Sequence, residues 1–411
     1  MAELTAGAAK ASITPAENLK LGAHSRTDTF MLMRLKPGWA TGVHDDIYAR
    51  CLALSDGQTL LAMTALDLLG FFRDDIEQVR ARAREKTGRE DLQLLVGSTH
   101  NHCAPDTYGM YGGVPQSYKR LIYERASDAV AAAVEAMAPA RIGFATARVP
   151  GVAGNRWRPD GAVDEEASIM AVDTLEGKSI ATLVNFPCHA DIVGPKNMLV
   201  SADFPGYMCR DLEEARGGTA VFFNGALADI YPVQTIEDRH EEKGLRTYEE
   251  AEKVGTTIAR AVLEALKGAE GKADVRIGLE RKILDLPATN KTLYFANLLG
   301  YLGRRRKLYG GFLFYNRRAR TESWAIAIDG AQIRTIPGQT FCKVGLELKQ
   351  GMSAPHKFVF GLTNDEVAYI TPPEEWDPAR SNEEEQVATL GPETWPALKA
   401  ALPPMPPAGS S

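Results

Sequence analysis

The chain has few of the residues that mark several protein classes. Its five cysteines are scattered, with no Cys-x-x-Cys pair, which argues against a disulfide framework or a structural zinc knot and favours a reducing compartment. Lysine and arginine (47) are outnumbered by aspartate and glutamate (53). We therefore expect no nucleic acid partner, because phosphate binding needs a basic surface. The chain also lacks an apolar run of membrane-spanning length and the basic and apolar regions of a secretory signal. These features favour a globular cytoplasmic protein without an integral membrane segment.

What is present is an ordinary globular composition, with 45% hydrophobic and 24% charged residues in a chain of 411. Short apolar runs alternate with amphipathic segments, and we predict helices over residues 73–87, 117–137, 203–216 and 247–266. Strands alternating with helices predict an α/β fold, with a mixed, largely parallel sheet covered by helices on both faces. The length would also allow two domains, but we predict one large domain over residues 1–400.

Two segments depart from this pattern. Residues 287–322 interleave aromatic residues with basic clusters such as Arg304 to Lys307. This segment could be a lid or an excursion facing a substrate, an oligomer contact, or a solvated helix and loop. Residues 401–411 are rich in proline and polar residues, so we predict a disordered tail there.

The stretch LVGSTHNHCAPD, from Leu95 to Asp106, holds two of the seven histidines of the chain. The apolar run that leads into it ends at Gly97 and predicts a buried strand. His100 and His102 would then lie where the backbone leaves the sheet. Imidazole is the commonest metal ligand and titrates near neutral pH, so the pattern indicates a metal or catalytic site. The alternative is a pair of surface histidines in a polar loop.

Other predicted strands also end in reactive side chains. These residues are His189, Asp191, Asp229, Tyr231, Gln339 and Tyr369. Ligands of open α/β sheets bind beyond the carboxyl ends of the strands. If these strands run parallel, we expect the reactive side chains to face one crevice together with His100 and His102.

Two neutral imidazoles, one or two oxygen ligands and an open position form the donor set of a hydrolytic zinc site. Such a metal lowers the pKa of a bound water to about 7 and polarises a carbonyl. A third histidine beside it could pass a proton to the leaving group. Arg156, in the motif GNRWRP, has the paired donors that hold an oxyanion or a carboxylate, although an exposed salt bridge would equally explain it.

Several motifs also occur in the order seen in the neutral ceramidase superfamily. They are GVHDDIYARCLAL, GSTHNHCAPD, GNRWRP, NFPCHAD, SADFPGY, NGALADIYP, TIPGQ and AYITPPEEW. The His-x-His-x-x-Pro block is the most specific of them. From residue 4 to about residue 392, the chain therefore resembles the catalytic domain of that superfamily, which implies a ceramidase-like catalytic domain over residues 1–400.

The resemblance implies roles for the residues that match the family by type. It implies metal ligands at His100, His189 and Tyr369. It implies a second histidine lining the site at His102 and a substrate-facing arginine at Arg156.

The chain departs from the family at two other positions. Gln339 stands where the family has a glutamate ligand, and a neutral amide is a weaker ligand than a carboxylate. Tyr231 replaces the family's serine, so serine-assisted ceramide hydrolysis is not expected. A phenol is a poorer nucleophile at neutral pH but can donate a hydrogen bond or act as a general acid.

We therefore predict a zinc-type, metal-dependent hydrolase that cleaves an amide or ester in a small molecule other than ceramide. The predicted metal ligands are His100, His189, Gln339 and Tyr369. The predicted catalytic residues are His102, Arg156, Tyr231 and Asp229, the last of which would orient a ligand or cap a turn. Two alternatives are non-hydrolytic chemistry on the same fold, such as cyclisation, isomerisation, elimination or acyl transfer, and ligand binding without turnover. The sequence leaves a homo-oligomer open.

Overall fold

The elements of the fold are taken from a computed structural model. It describes residues 3–25, 37–109, 112–238, 243–294, 308–311, 316–377 and 388–407. The strands are β1 (Thr5–Ser12), β2 (Lys20–Ser25), β3 (Pro37–Trp39), β4 (Gly42–Val43), β5 (Tyr48–Ser55), β6 (Leu60–Leu66), β7 (Gln93–Ser98), β8 (Ala138–Arg148), β9 (Ala153–Asn155), β10 (Glu166–Thr174), β11 (Ser179–Phe186), β12 (Leu199–Val200), β13 (Thr219–Asn224), β14 (Ile230–Pro232), β15 (Ile277–Ala288), β16 (Leu308–Tyr309), β17 (Arg317–Ile328), β18 (Ala331–Thr335), β19 (Gln339–Thr340), β20 (His356–Phe360) and β21 (Tyr369–Ile370). The helices are α1 (Arg73–Thr87), α2 (Gln116–Glu135), α3 (Asp203–Arg216), α4 (Val233–Glu237), α5 (Tyr248–Leu266), α6 (Cys342–Gln350) and α7 (Thr394–Ala401).

Helix α1 shows how local sequence sets an element. Its buried residues Ile76, Val79 and Ala83 recur at the three- and four-residue spacing of one helical face. Acidic residues lie in its first turn and basic residues in its last, as the helix dipole favours. Gly88 ends it in a left-handed conformation with φ of 63°. The predicted range 73–87 is confirmed.

Eight strands form the main sheet, in the order β13-β11-β10-β8-β1-β5-β6-β7. The predicted mixed α/β architecture is confirmed, but its strand directions differ from the prediction. Only β6–β7 and β11–β13 pair in parallel, and the other five pairings are antiparallel. Four-residue connections join β5 to β6 and β10 to β11. Such short connections enforce antiparallel neighbours, because a parallel pair needs a long crossover.

The layers on the two faces of this sheet also differ from the prediction. On β5, Ala49 and Cys51 face α1 and α2 in one core cluster, and α3 and α5 cover the β8–β13 half in another. The opposite face, with Leu52 and Leu54, packs on apolar residues of a second sheet such as Trp324. Helices therefore cover one face of the main sheet and the second sheet covers the other. Successive side chains of a strand point to opposite faces, so alternate residues of β5 enter these two different cores.

The second sheet has the order β15-β17-β18-β20, with β16 beside β17. The predicted lid or excursion at residues 287–322 lies largely outside the described residues, although Leu308 and Tyr309 pair with β17. In the predicted tail, residues 401–411, the carbonyls of Pro403 and Pro406 accept hydrogen bonds from Arg334 and Gln332. Residues 408–411 lie outside the described part. Among the described helices, none has both the length and the apolar character required to cross a membrane.

Candidate metal centre

His100 follows strand β7 and has an unusual backbone. Its φ is 63°, a left-handed conformation that few non-glycine residues adopt. Two flanking bonds hold this turn, from Thr99 N to Leu66 O at 2.9 Å and from Asn101 N to Leu68 O at 3.1 Å. The ring is also fixed, since His100 Nδ1 donates to Leu69 O at 2.7 Å. The segments that follow the parallel strands β6 and β7 thus supply the acceptor and the turn that orient this imidazole.

His189 lies beyond the end of β11 and is completely buried. Its backbone N donates to Ile230 O at 3.0 Å, and its ring Nδ1 lies 3.1 Å from the same oxygen. Asn224, the last residue of β13, joins this loop to the first. Its Nδ2 donates to Thr99 O at 3.0 Å and to Cys188 O at 2.7 Å. Asn224 was missed in the sequence, where its only signal is that it ends the apolar run AVFFN.

The three histidines come together at these strand ends. One nitrogen of each ring of His100, His102 and His189 lies within 4.8 Å of the others. It is the one group of three histidine, cysteine or acidic residues with this spacing in the described ranges. His102 N donates to Ala190 O at 3.1 Å, which ties the two loops together. His102 Nδ1 lies 3.6 Å from Asp191 Oδ1. The predicted convergence of His100, His102 and His189 is therefore observed.

The surroundings keep two of these imidazoles neutral. Burial lowers the pKa of His100 to about 4. Burial, together with the neighbouring His100 and His102, lowers the pKa of His189 well below its usual value. A neutral imidazole has the lone pair that a metal requires. The buried Nε2 of His189 has no hydrogen-bond partner among the described residues, so a bound metal would satisfy it, and the donor set fits zinc.

Tyr231 and Arg156 lie directly beside the histidines. The Tyr231 ring stacks on His189 with centroids 3.8 Å apart and planes at 16°. The Arg156 guanidinium lies 4.6 Å from the Tyr231 centroid, and its Nη1 donates to Tyr231 Oη at 2.7 Å. Strands β9 and β14 make this possible by pairing Tyr231 with Gly154. The predicted site residues Arg156 and Tyr231 are therefore in contact with each other, and Tyr231 stacks on His189.

Asp229 holds two loops together. Its Oδ1 accepts from Cys342 N at 2.7 Å, and its Oδ2 accepts from Asn155 Nδ2 at 2.8 Å. Its backbone oxygen accepts from Arg156 N at 2.8 Å. Burial raises the pKa of Asp229 to about 6. These contacts agree with an orienting carboxylate rather than a reacting one.

Gln339 and Tyr369 pair with each other in the parallel strands β19 and β21. Both are buried, and Gln339 Oε1 has no hydrogen-bond partner among the described residues. Backbone bonds from Ser98 to Leu362 and from Leu362 to Gly338 connect this pair to the end of β7. The pair thus belongs to the same end of the main sheet as His100, and its role as ligand stays a prediction.

A cavity of about 190 Å³ lies beside the segment that carries Arg156. It is lined by Asn155, Trp157, Arg158, Gly161, Ala162, Asp229, Phe341, Lys343 and Glu375. Trp157 and Phe341 stack with centroids 5.4 Å apart, and Arg158 forms an ion pair with Glu375. Because Asp229 lines the cavity and its backbone oxygen accepts a hydrogen bond from Arg156 N, the cavity adjoins the loop that carries Arg156.

The five cysteines are free and buried. Burial raises the pKa of Cys103, the residue after His102, well above its usual value. Since the thiolate is the reactive form, Cys103 is unsuited to act as a nucleophile.

No family model matches the chain, and no curated protein is a significant match by sequence. Its structure is similar to that of neutral ceramidase from Pseudomonas aeruginosa, with a TM-score of 0.75, 16% identity, and coverage of 97% of this chain and 73% of that one. It is similar also to a ceramidase complexed with C2, with a TM-score of 0.76, 17% identity, and coverage of 97% and 74%. The chain therefore has a ceramidase-like fold, as its motifs predict.

Proposed function

We propose that the chain is a metal-dependent hydrolase that cleaves an amide or ester bond in a small substrate other than ceramide. The observation that carries this proposal is the group of three imidazoles in a ceramidase-like fold. The buried Nε2 of His189 has no hydrogen-bond partner among the described residues, which is unfavourable in a protein interior unless a bound metal satisfies it.

His100 and His189 are the ligands that we assign to the metal, with Tyr369 as an oxygen ligand and Gln339 as a weaker one. Zinc suits this donor set, since its catalytic sites combine imidazoles with oxygen donors and keep one position open. When bound, the metal would supply an activated water and polarise the carbonyl of the substrate.

The chain's own side chains supply binding and proton transfer. Arg156 and Tyr231 present N–H and O–H donors beside the imidazoles, where they can hold an oxygen that gains negative charge. His102 is the residue that the sequence assigns to proton transfer, and Asp191 lies next to it. Asp229 orients the loop of Arg156 through backbone and side-chain bonds.

A small substrate fits the adjoining cavity. Its volume of about 190 Å³ lies below the roughly 300–1,000 Å³ of common ligand pockets. The lining combines the aromatic wall of Trp157 and Phe341 with charged residues at Arg158 and Glu375. A compact polar substrate suits this lining better than a long lipid chain does. A cytoplasmic location and a homo-oligomer stay predictions.

A non-hydrolytic reaction, such as cyclisation or acyl transfer, is the second candidate. Tyr231 favours it, because its hydroxyl is bonded to Arg156 at the position where ceramidases have a serine. The product separates the two candidates. A hydrolase incorporates oxygen from labelled water into its product, and a cyclase, isomerase or transferase does not.

Metal analysis combined with a panel of N-acyl and ester substrates tests the proposal. We expect one zinc per chain and turnover of at least one substrate. His100→Ala should remove both, because it deletes an imidazole of the centre. The control is His356→Gln, since His356 lies on β20 of the second sheet and stacks on Phe144. Pure protein without stoichiometric metal, together with full activity of His100→Ala, would overturn the proposal.

A further inference from the structure

The three imidazoles share one feature of orientation. His100 Nδ1 lies 2.7 Å from Leu69 O, His189 Nδ1 lies 3.1 Å from Ile230 O, and His102 Nδ1 lies 3.6 Å from Asp191 Oδ1. An oxygen therefore faces the Nδ1 of every ring. In metal sites a histidine commonly directs its second nitrogen at a carbonyl or carboxylate, which sets the tautomer and turns the other nitrogen towards the metal. His102 has the same arrangement at a longer, ion-pair distance, with a carboxylate oxygen 3.6 Å from its Nδ1.

Asp191, which faces His102, is itself firmly held. Arg246 Nη2 donates to Asp191 Oδ1 at 2.6 Å and approaches Asp191 O at 3.3 Å. Thr235 Oγ1 donates to the same backbone oxygen. The side chains of Asp191 and Arg246 are each only 12% exposed. A charge pair that is this buried needs well-defined partners, so the carboxylate has little freedom to leave His102.

The replacement of the family's glutamate leaves the centre short of one strong ligand. Gln339 offers a neutral amide oxygen, which binds a divalent ion more weakly than a carboxylate does. Three histidines with one open position are a sufficient donor set for catalytic zinc. One ring nitrogen of His102 lies within 4.8 Å of a ring nitrogen of His100 and of His189.

We infer that His102 is the third imidazole ligand of the centre and that Asp191, held by Arg246, is the residue that positions it. This inference rests on the proposed function, because it presupposes a metal at the cluster. It replaces the proton-carrying role that the sequence suggests for His102. Asp191 does not touch the metal or the substrate and acts only through the orientation of His102.

Zinc affinity, measured by competition with a chromophoric chelator, tests the inference without any assay of activity. The variants are His102→Ala and Asp191→Asn, with His356→Gln as the matched control on the second sheet. Asp191→Asn should weaken zinc binding by about 10–100-fold, the usual effect of losing an outer-shell partner. His102→Ala should weaken it further, and His356→Gln should leave it unchanged. Thermal unfolding of each metal-free variant checks that the fold is intact.

The wild-type protein offers a second measurement that needs no variant. With nitrogen-15 histidine, zinc should shift the Nε2 resonances of His100, His102 and His189 together. A shift confined to His100 and His189, or unchanged zinc affinity in His102→Ala, would overturn the inference and leave the proposed function standing. Wild-type protein that binds no zinc would instead overturn the proposed function and this inference with it.

Discussion

At the scale of single residues, Tyr231 is the side chain whose chemistry is set most clearly by its neighbours. Its ring contacts both the His189 imidazole and the Arg156 guanidinium. Because the phenol oxygen accepts a hydrogen bond from a cation, the hydroxyl hydrogen must point away from Arg156. The phenol is thus oriented as a donor, a role that does not require it to be a nucleophile.

Tyr231→Phe should retain the stack on His189 but lose this donor. We expect kcat to fall by about 100- to 1,000-fold, the range seen when one donor to a developing oxyanion is removed, while zinc content stays the same. Steady-state kinetics on a substrate found in the panel, with metal analysis, measure both effects. Tyr48→Phe is the control, since among the described residues the Tyr48 hydroxyl makes one long, exposed contact, of 3.5 Å to Asp46. Loss of zinc in Tyr231→Phe would contradict the donor role.

At the scale of elements, the centre depends on three strand ends that Asn224 connects. Its amide donates to the loops after β7 and β11, and its Oδ1 accepts from Cys188 N at 3.1 Å. All of these groups are buried. Beyond the strand ends, the Asn224 side chain therefore provides hydrogen-bond partners for backbone groups of Thr99 and Cys188.

Asn224→Ala should loosen both loops that carry the imidazoles. Each buried group that loses its partner costs about 1–3 kcal/mol, so we expect a clear fall in the free energy of unfolding and a lower affinity for zinc. Urea unfolding of the metal-free protein and zinc competition measure the two effects. Asn224→Asp keeps the acceptor for Cys188 N but places a carboxylate against the carbonyls of Thr99 and Cys188, so it should not restore the stability of wild type. Equal stability of wild type and Asn224→Ala would show that the loops are held elsewhere.

At the scale of the whole molecule, a buried charge network joins the helix layer to the second sheet. Arg80 of α1 and Arg281 of β15 each approach a Glu322 oxygen to 2.6 Å. Trp324 Nε1 donates to Glu322 at 3.1 Å. The side chains of Arg80 and Glu322 are only 1% and 0% exposed. The network therefore links α1 to strands that are far from it in the sequence.

This network should make the stability of the protein depend on pH. Burial alone would raise the pKa of Glu322, but Arg80 and Arg281 outweigh it, so the pKa lies below its ordinary value of 4.5. The network thus contributes its full stability above pH 4.5 and loses it as the pH falls through the lower pKa of the folded state. The free energy of unfolding, measured against pH, should decline in that range.

Glu322→Gln should remove this part of the pH dependence. It should also destabilise the protein at neutral pH, by up to about 3–5 kcal/mol, since the buried Arg80 loses its buried carboxylate partner although its pair with Glu77 remains. Glu264→Gln breaks an exposed pair with Lys267 and should change little. Identical pH profiles for wild type and Glu322→Gln would rule out this role for Glu322.

The sequence by itself determined the local elements and the candidate site residues. Helix α1 was predictable to the residue, because its apolar spacing and Gly88 are local signals. The ends of the apolar strands likewise marked His100, His189 and Tyr231. Short-range patterns contain this information, since a strand and the residue that follows it are neighbours in the chain.

Only the tertiary structure decided how these pieces meet. It placed a second sheet where helices were predicted, because an apolar strand face does not specify which layer will cover it. It showed that Asn224 ties the loops and that Asp191 faces His102 with Arg246 behind it. These contacts join residues that lie far apart in the chain, and the ordinary polar residues involved have no spacing that would reveal them. The stretch around His100 could thus be recognised as a site from the sequence, whereas the partners that orient its imidazoles could not.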